Sequence, residues 1–228
     1  AVIAAEAVIV MPADAPAIKA DNVRAMGARI VPYDRYHDDR EKIAEPYVEK
    51  GMALVKPFDD PLIVAGQGTV GLEIAEDAEA MGVRIDAVVT PCGGGGLMAG
   101  IATAVKALSP QTEIWGAEPD NFDDTRRSLA AGSRVKADTA GTSICDALMS
   151  PMPGELTFAI NRKLAAGVVA VPEKSIVAAM RDAAAHLKLV VEPGGAAGFA
   201  ALSSGEIALA GRTIAVVLSG GNVDLELF

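Results

Sequence analysis

Four consecutive glycines, Gly93-Gly94-Gly95-Gly96, form the segment of this sequence best suited to hold an anion. They lie between an apolar, strand-like run at residues 87–90 and a helix-like segment that begins with Leu97. Backbone N–H groups at the start of a helix, together with the helix dipole, stabilise negative charge without lysine or arginine. A flexible connector is the alternative interpretation. The segment lacks the Gly-Lys-Ser/Thr ending of a Walker loop and the glycine spacing of a dinucleotide fold, so it predicts a phosphate site and no nucleotide.

A second short loop, Ser219-Gly220-Gly221-Asn222, directly follows another apolar run at residues 213–218. Loops at the carboxyl ends of parallel strands form the ligand crevice of open α/β sheets, so this loop and the tetraglycine loop (residues 93–96) could face the same cavity. The Ser219 hydroxyl could then hydrogen-bond one edge of a ring. Because these are also common turn residues, a simple turn is the alternative.

An acidic run, Glu118-Pro119-Asp120-Asn121-Phe122-Asp123-Asp124, follows a third strand-like segment. Carboxylates with a backbone carbonyl between them supply the hard oxygen ligands that Mg²⁺ or Ca²⁺ prefers. A solvated surface loop is the alternative, and the residues alone leave both interpretations open.

A further glycine-rich turn at residues 194–198 is interpreted as tight packing of a helix on a sheet rather than as a ligand contact. His37 lies in a charged segment and His186 in an amphipathic one, with no serine or cysteine elbow near either. A hydrolytic triad therefore has no support.

Short β-branched apolar runs alternate with amphipathic stretches along the chain, which predicts βαβ units and a buried parallel sheet. Strands are predicted at residues 7–11, 30–32, 53–55, 87–90, 113–117, 168–171 and 213–218. Helices are predicted at residues 16–26, 39–50, 61–81, 96–107, 173–187 and 194–203. Gly27 and Gly82 are predicted to end helices in the left-handed conformation, and Asp14 to cap the first helix.

The composition excludes several classes of protein. With 51% hydrophobic and 22% charged residues, the 228-residue chain can bury a sizeable core and is not intrinsically disordered. A net charge of −10 without a lysine or arginine cluster argues against nucleic-acid binding. No apolar run reaches the length of a membrane span. Cys92 and Cys145 are too few and too far apart for a disulfide framework, which favours a cytoplasmic location.

The order of these motifs resembles that of the fold-type II pyridoxal-phosphate enzymes, and within them the threonine/serine dehydratase and serine racemase group. The resemblance covers nearly the whole chain, and the combined pattern is specific to the group although no single motif is. Further matching segments are Val10-Met11-Pro12, Pro57-Phe58-Asp59-Asp60-Pro61, Ala65-Gly66-Gln67-Gly68-Thr69 and Ser143-Ile144-Cys145-Asp146-Ala147. The implied fold is α/β, with open, twisted, mostly parallel sheets flanked by helices as in the tryptophan synthase β type. The implied domains are a partial small domain at 1–58 and a large cofactor-binding domain at 59–228.

The resemblance also implies roles for individual residues. The loop that holds the cofactor phosphate is matched by Gly93, Gly94, Gly95, Gly96 and the backbone of Leu97. Ser219 matches the residue that hydrogen-bonds the pyridine nitrogen, and a neutral hydroxyl there suits β-elimination better than transamination. The divalent-cation site of serine racemases, for Mg²⁺, Mn²⁺ or Ca²⁺, is matched by Glu118, Asp124 and the carbonyl of Phe122. The family's Ala-Asp-Gly is Cys-Asp-Ala at Asp146, which leaves the choice of substrate open.

The implied activity is dehydration and deamination of a β-hydroxy amino acid, threonine first and serine second, to a 2-oxo acid and ammonia. A serine racemase and a catalytically incomplete scaffold are the alternatives. The family's Schiff-base lysine belongs to a motif, Ser-Phe-Lys-x-Arg-Gly-Ala, that this sequence lacks. We therefore expect the catalytic lysine upstream of Ala1. The implied partners are a small amino-acid substrate and a second copy of the chain in a homodimer.

Overall fold

The computed structural model describes residues 5–137 and 141–224, and within these ranges the chain divides into two units. Residues 5–55 and 222–224 belong to the first unit, and residues 56–221 form the second. Both units combine parallel strands with helices, so the predicted α/β class is confirmed. The bounds 1–58 and 59–228 stay a prediction about how function is divided between domains.

The first unit is built on two parallel strands joined by a helix. In chain order its elements are β1 (Val8–Pro12), α1 (Ala17–Ala25), β2 (Arg29–Tyr33) and α2 (Arg40–Val48). Val8 lies beside Arg29 and Pro12 beside Tyr33 in the parallel pair. Gly27 has the left-handed conformation predicted for it, with φ +81°, and it reverses the chain between α1 and β2.

Two predictions for the first unit are wrong. Residues 53–55 form no strand, because Leu54 and Val55 are exposed and pair with no strand within the described residues. An apolar, β-branched run needs a neighbouring strand to satisfy its backbone hydrogen bonds. Asp14 does not cap α1, which begins without a side-chain cap. Its carboxylate instead accepts a hydrogen bond from Arg35 Nε at 2.8 Å.

The second unit is built around a four-stranded sheet in which all strands are parallel. The strands are β3 (Ala87–Pro91), β4 (Glu113–Pro119), β5 (Gly167–Val171) and β6 (Ile214–Val216), in the spatial order β5-β4-β3-β6. Every residue of β3 is buried. A strand that is covered on both faces requires such a continuous apolar run, which is why the sequence pattern predicts β3 well.

Six α-helices accompany this sheet within the described ranges. They are α3 (Pro61–Met81), α4 (Gly96–Leu108), α5 (Asp124–Ala131), α6 (Glu155–Leu164), α7 (Glu173–Asp182) and α8 (Pro193–Ser203). A π-helical turn, Ala183–Leu187, follows α7, and Gly82 ends α3 in the predicted left-handed conformation. None of the helices in residues 5–137 and 141–224 is both long enough and apolar enough to cross a membrane.

The sequence pattern does not predict α5 or α6. Both helices are short, and neither begins with a side-chain cap from its own N-cap residue. Glu118, which lies in the preceding strand β4, caps α5. Asp59, which is distant in sequence, caps α6. The side chains that cap these helices therefore lie outside the local segments in which a start signal is sought.

Backbone-to-backbone contact between α3 and α4 depends on glycine. A Cβ atom added to Gly100 would lie 2.5 Å from the carbonyl oxygen of Val64 and 2.6 Å from the amide nitrogen of Gly68. Real side chains do not approach backbone atoms so closely. The contact matters for the site because α4 begins directly after the tetraglycine loop.

We predict that Gly100→Ala lowers the free energy of unfolding by about 1–3 kcal/mol, because α3 and α4 must separate to admit the methyl group. Gly66→Ala is the matched control, since Gly66 lies on the exposed side of α3 with no atom within 4 Å of its added Cβ. That variant is expected to gain about 0.5–1 kcal/mol from helix propensity. Urea unfolding of both variants tests the prediction, and equal effects would contradict it.

Candidate active site

Three predicted site segments meet at one edge of the parallel sheet. The tetraglycine loop follows β3, Glu118 lies near the end of β4, and Ser219 follows β6. β3 is hydrogen-bonded to both β4 and β6, so the carboxyl ends of these neighbouring strands lie side by side. Ligands bind at this edge in open α/β sheets.

The tetraglycine loop is a packed turn with no room for side chains. Gly95 adopts the left-handed conformation, with φ +92°, and is the N-cap residue of α4. An added Cβ on Gly94 would lie 2.4 Å from the ring of Phe58, and one on Gly95 would lie 2.8 Å from Asn161 Nδ2. Gly94, Gly95 and Gly96 are buried. The interpretation as a flexible connector is therefore wrong.

Side chains from α5 and α6 hold the carbonyl groups of this loop. Thr125 Oγ1 donates to the Gly93 carbonyl at 3.4 Å, and Thr157 Oγ1 donates to the Gly94 carbonyl at 2.7 Å. Asn161 Nδ2 donates to the Gly95 carbonyl at 3.2 Å. Sequence reasoning misses all three residues as parts of the site, because none of them belongs to a local motif.

The amide groups of the same loop are available to a ligand. No hydrogen bond found in residues 5–137 and 141–224 has the N–H of a loop glycine as its donor. These amides lie at the N-terminus of α4, where the helix dipole favours an anion. The loop therefore fits the phosphate group of a cofactor.

The loop that contains Ser219 is held against the start of α8. The Ser219 amide donates to the Gly195 carbonyl at 3.4 Å, and a Cβ on Gly195 would lie 1.5 Å from the Ser219 carbonyl oxygen. The glycine-rich segment 194–198 thus serves close packing, as predicted, and it fixes the backbone at Ser219. The role of the Ser219 hydroxyl toward a ring nitrogen stays a prediction.

Glu118 is a fully buried carboxylate that caps α5. Its Oε1 accepts from the Thr125 amide at 3.0 Å and its Oε2 from the Arg126 amide at 2.9 Å. Burial, and then the nearby charge of Asp124, raise the pKa of Glu118 to about 8. Each oxygen keeps a second lone pair, so the helix cap does not prevent Glu118 from binding a cation.

Asp124 is also fully buried, and its carboxylate lacks the partner that a bound cation would provide. Within the described residues neither of its carboxylate oxygens has a hydrogen-bond partner. Burial is the main cause that raises the pKa of Asp124 to about 7. A divalent cation would compensate both this carboxylate and Glu118.

The ligand set for such a cation needs backbone oxygen. Among the described residues, no group of three or more His, Cys, Asp or Glu side chains is placed to hold a metal. The carbonyl of Phe122, between the two carboxylates in sequence, is the third ligand that the family resemblance implies. The orphaned oxygens of Asp124 fit the cation, whose presence stays a prediction.

The surroundings of the two cysteines and of His37 are consistent with structural roles and give no indication of a catalytic one. Cys92 and Cys145 are buried free thiols. Burial raises the pKa of Cys145 to about 12, so its thiol stays protonated and unreactive. His37 is paired with Asp34 at 2.8 Å on the surface, and this hydrogen bond raises the pKa of the imidazole.

Comparison with known proteins places this geometry in a family. Residues 1–220 match the family described as "Pyridoxal-phosphate dependent enzyme". L-threo-3-hydroxyaspartate ammonia-lyase of Saccharomyces cerevisiae is 40% identical over 223 residues, which are 97% of this chain and 67% of that protein. Serine racemase of Schizosaccharomyces pombe is 36% identical over 221 residues, which are 96% of this chain and 67% of that protein. The crystal structure of the T.th. threonine deaminase aligns with a TM-score of 0.90 at 44% identity, covering 98% of this chain and 72% of that one.

The family match and the aligned structure, together with the parallel sheet and its tetraglycine loop, identify the class as pyridoxal-phosphate-dependent enzymes of fold type II. This chain belongs to that family, as its motifs indicate, and it spans about two thirds of the length of the two curated relatives. These relatives and the aligned deaminase carry three different activities in their names. The substrate of this chain is therefore a separate question.

We predict that Mg²⁺, Mn²⁺ or Ca²⁺ raises the thermal unfolding temperature after treatment with a chelator. A cation at a hundred times its dissociation constant stabilises a folded protein by about 2.7 kcal/mol. Asp124→Asn is expected to abolish this increase, because it removes a buried ligand charge. Asp120→Asn is the control, since Asp120 is an exposed carboxylate of the same run. The cation site is refuted if the wild type does not respond or if both variants respond alike.

Proposed function

We propose that the chain carries the cofactor-binding part of a pyridoxal-phosphate-dependent ammonia-lyase that converts a β-hydroxy amino acid to a 2-oxo acid and ammonia. The observation that carries this proposal is the buried tetraglycine loop. Its amides are available at the N-terminus of α4, while side chains of α6 donate hydrogen bonds to its carbonyls. Family membership supports the cofactor.

The residues of this chain would bind and orient the cofactor at two points. The backbone amides at residues 93–97 would hold its phosphate. The Ser219 hydroxyl would donate a hydrogen bond to the ring nitrogen and leave that nitrogen unprotonated. When bound, pyridoxal phosphate supplies a ring that stabilises negative charge at the substrate α-carbon. With an unprotonated ring this stabilisation is modest, which favours departure of the β-hydroxyl over transfer of the amino group.

Threonine is the first proposed substrate and serine the second. A threonine deaminase that is 44% identical supports this order. L-threo-3-hydroxyaspartate is a further candidate, because ammonia-lyases for it in Saccharomyces cerevisiae and Pseudomonas are 40% and 39% identical. All three compounds carry a hydroxyl on the β-carbon, which is the group that the proposed reaction expels.

The segment that departs from the family pattern lies beside the cofactor loop. A Cβ on Gly93 would lie 3.0 Å from Leu148 Cα and 3.3 Å from the Ala147 carbonyl oxygen. Ala147 and Leu148 therefore form part of the wall around the proposed site. The change to Cys-Asp-Ala at residues 145–147 is a candidate cause of a substrate preference that differs from that of the relatives.

Serine racemase is the second candidate function, since relatives with that name are 36–39% identical. A racemase and a dehydratase share the same cofactor loop, and they differ in whether the hydroxyl leaves or the α-carbon is reprotonated. The proposed enzyme also binds a divalent cation through Glu118, Asp124 and the Phe122 carbonyl, and it forms a homodimer. Its two free, buried cysteines support a cytoplasmic location.

We predict that the full encoded protein, supplied with pyridoxal phosphate, releases a 2-oxo acid and ammonia from L-threonine faster than from L-serine. L-threo-3-hydroxyaspartate is assayed in parallel, with 2-oxo acid measured by a coupled dehydrogenase. Chiral chromatography of the remaining serine measures racemisation. Formation of D-serine without 2-oxo acid would instead establish the racemase, and no reaction with any of these compounds would leave the scaffold interpretation.

We predict that the nucleophilic lysine lies outside residues 1–228. Borohydride reduction in the presence of pyridoxal phosphate should attach cofactor to no specific lysine of the 228-residue chain. In the full encoded protein it should label one lysine, upstream of Ala1. Peptide mapping by mass spectrometry identifies the site. Stoichiometric labelling of a lysine within the chain would contradict the prediction.

A further inference from the structure

We propose that Asp59 is a positioning residue for the phosphate-binding loop, which it orients through helix α6. The inference rests on the proposed function, because the loop is taken to hold a cofactor phosphate. Asp59, Thr157 and Asn161 would contact no ligand atom themselves. They would fix the direction in which the loop amides point.

Asp59 caps α6 across a long stretch of sequence. Its Oδ2 accepts from the Glu155 amide at 3.0 Å, and its Oδ1 accepts from the amides of Leu156 and Thr157 at 3.0 and 3.2 Å. One carboxylate thus satisfies three of the four amides that the first turn of a helix leaves unpaired. Its negative charge also lies at the positive end of the helix dipole.

The approach of Asp59 to α6 requires glycine at the helix N-cap. A Cβ on Gly154 would lie 2.2 Å from Asp59 Oδ1, so any side chain there would displace the carboxylate. The Gly154 amide also donates to the Gly94 carbonyl at 3.3 Å. The helix start and the cofactor loop are therefore in direct contact.

One face of α6 then holds two successive carbonyls of the loop. Thr157 and Asn161 are one helical turn apart and point the same way. Thr157 is 0% exposed and bonds the Gly94 carbonyl, and Asn161 is 1% exposed and bonds the Gly95 carbonyl. Both bonds are shielded from water, so water does not compete for these carbonyls.

The planarity of the peptide group converts these carbonyl contacts into amide directions. In a trans peptide the C=O of one residue and the N–H of the next point in opposite directions. Holding the carbonyls of Gly94 and Gly95 toward α6 therefore aims the N–H groups of Gly95 and Gly96 away from it. Both are among the amides proposed to bind the phosphate.

Thr157→Val is the sharpest test, because it removes the hydroxyl but keeps the shape of the side chain. The Gly94 carbonyl retains its bond from the Gly154 amide, so the variant is expected to fold. We expect its dissociation constant for pyridoxal phosphate to rise about 3- to 10-fold, the effect of losing one hydrogen bond. The dissociation constant for pyridoxal, which lacks the phosphate, should not change. Thr157→Ser keeps the hydroxyl and should restore the wild-type ratio.

A capping residue next to Asp59 provides a matched control. Asp60 accepts from the Leu62 amide at 2.8 Å and the Ile63 amide at 3.3 Å, and thereby caps α3. Asp59→Ala and Asp60→Ala should both lower stability. Only Asp59→Ala should reduce the preference for pyridoxal phosphate over pyridoxal. Equal reductions in the two variants would overturn the proposal in favour of a general effect of stability.

A measurement without ligand separates this inference from the proposed function. Nitrogen-15 relaxation gives an order parameter of about 0.85 for a rigid backbone amide and below about 0.6 for a flexible one. The Gly95 and Gly96 amides should be rigid in the wild type and in Thr157→Ser, and their order parameters should be measurably lower in Thr157→Val and Asp59→Ala. Unchanged order parameters overturn the positioning role. A wild type with rigid amides but no preference for the phosphorylated compound keeps the positioning role and refutes the cofactor.

Discussion

The planar peptide group is the constraint on which the candidate site depends. The carbonyls of Gly94 and Gly95 are hydrogen-bonded by α6, so the amides of Gly95 and Gly96 point away from that helix. Side chains are excluded because neighbouring groups occupy the places where Cβ atoms would lie. The rest of the second unit supplies the framework. The tetraglycine loop follows β3 and leads into α4, and side chains of α5 and α6 donate hydrogen bonds to its carbonyls.

The proposed anion site needs no basic side chain, although the protein is acidic. The net charge is −10, and the loop itself contains only backbone dipoles. Two carboxylates contribute indirectly, each at the start of a helix. Glu118 caps α5, which carries Thr125, while Asp59 caps α6, which carries Thr157. Both carboxyl groups therefore lie at helix N-termini and not at the amides proposed to bind phosphate.

Local patterns predict the parts of this structure that depend on local contacts. The bounds of α3 are predicted without error, since Pro61 and Gly82 mark its ends, and β3 follows from its continuous apolar run. The glycine loop is predicted because four glycines at a strand–helix junction have few other uses. Its partners Thr157 and Asn161 are not predicted, because their contacts join residues 63 and 66 positions apart. The strand predicted at residues 53–55 is absent for the opposite reason. Their local pattern favours a strand, but no neighbouring strand within the described residues pairs with them.

The helix cap by Asp59 has a consequence for folding. It closes a loop of more than ninety residues, because the carboxylate and the amides it binds are 96 to 98 positions apart. Ordering so long a segment carries a large loop-closure entropy, which is offset only when the intervening strands and helices have assembled. We therefore expect the tetraglycine loop to acquire its final geometry late, once α6 has docked. A partly folded chain would contain the tetraglycine sequence and yet have little affinity for phosphate, so cofactor binding would report on completed folding of the whole second unit.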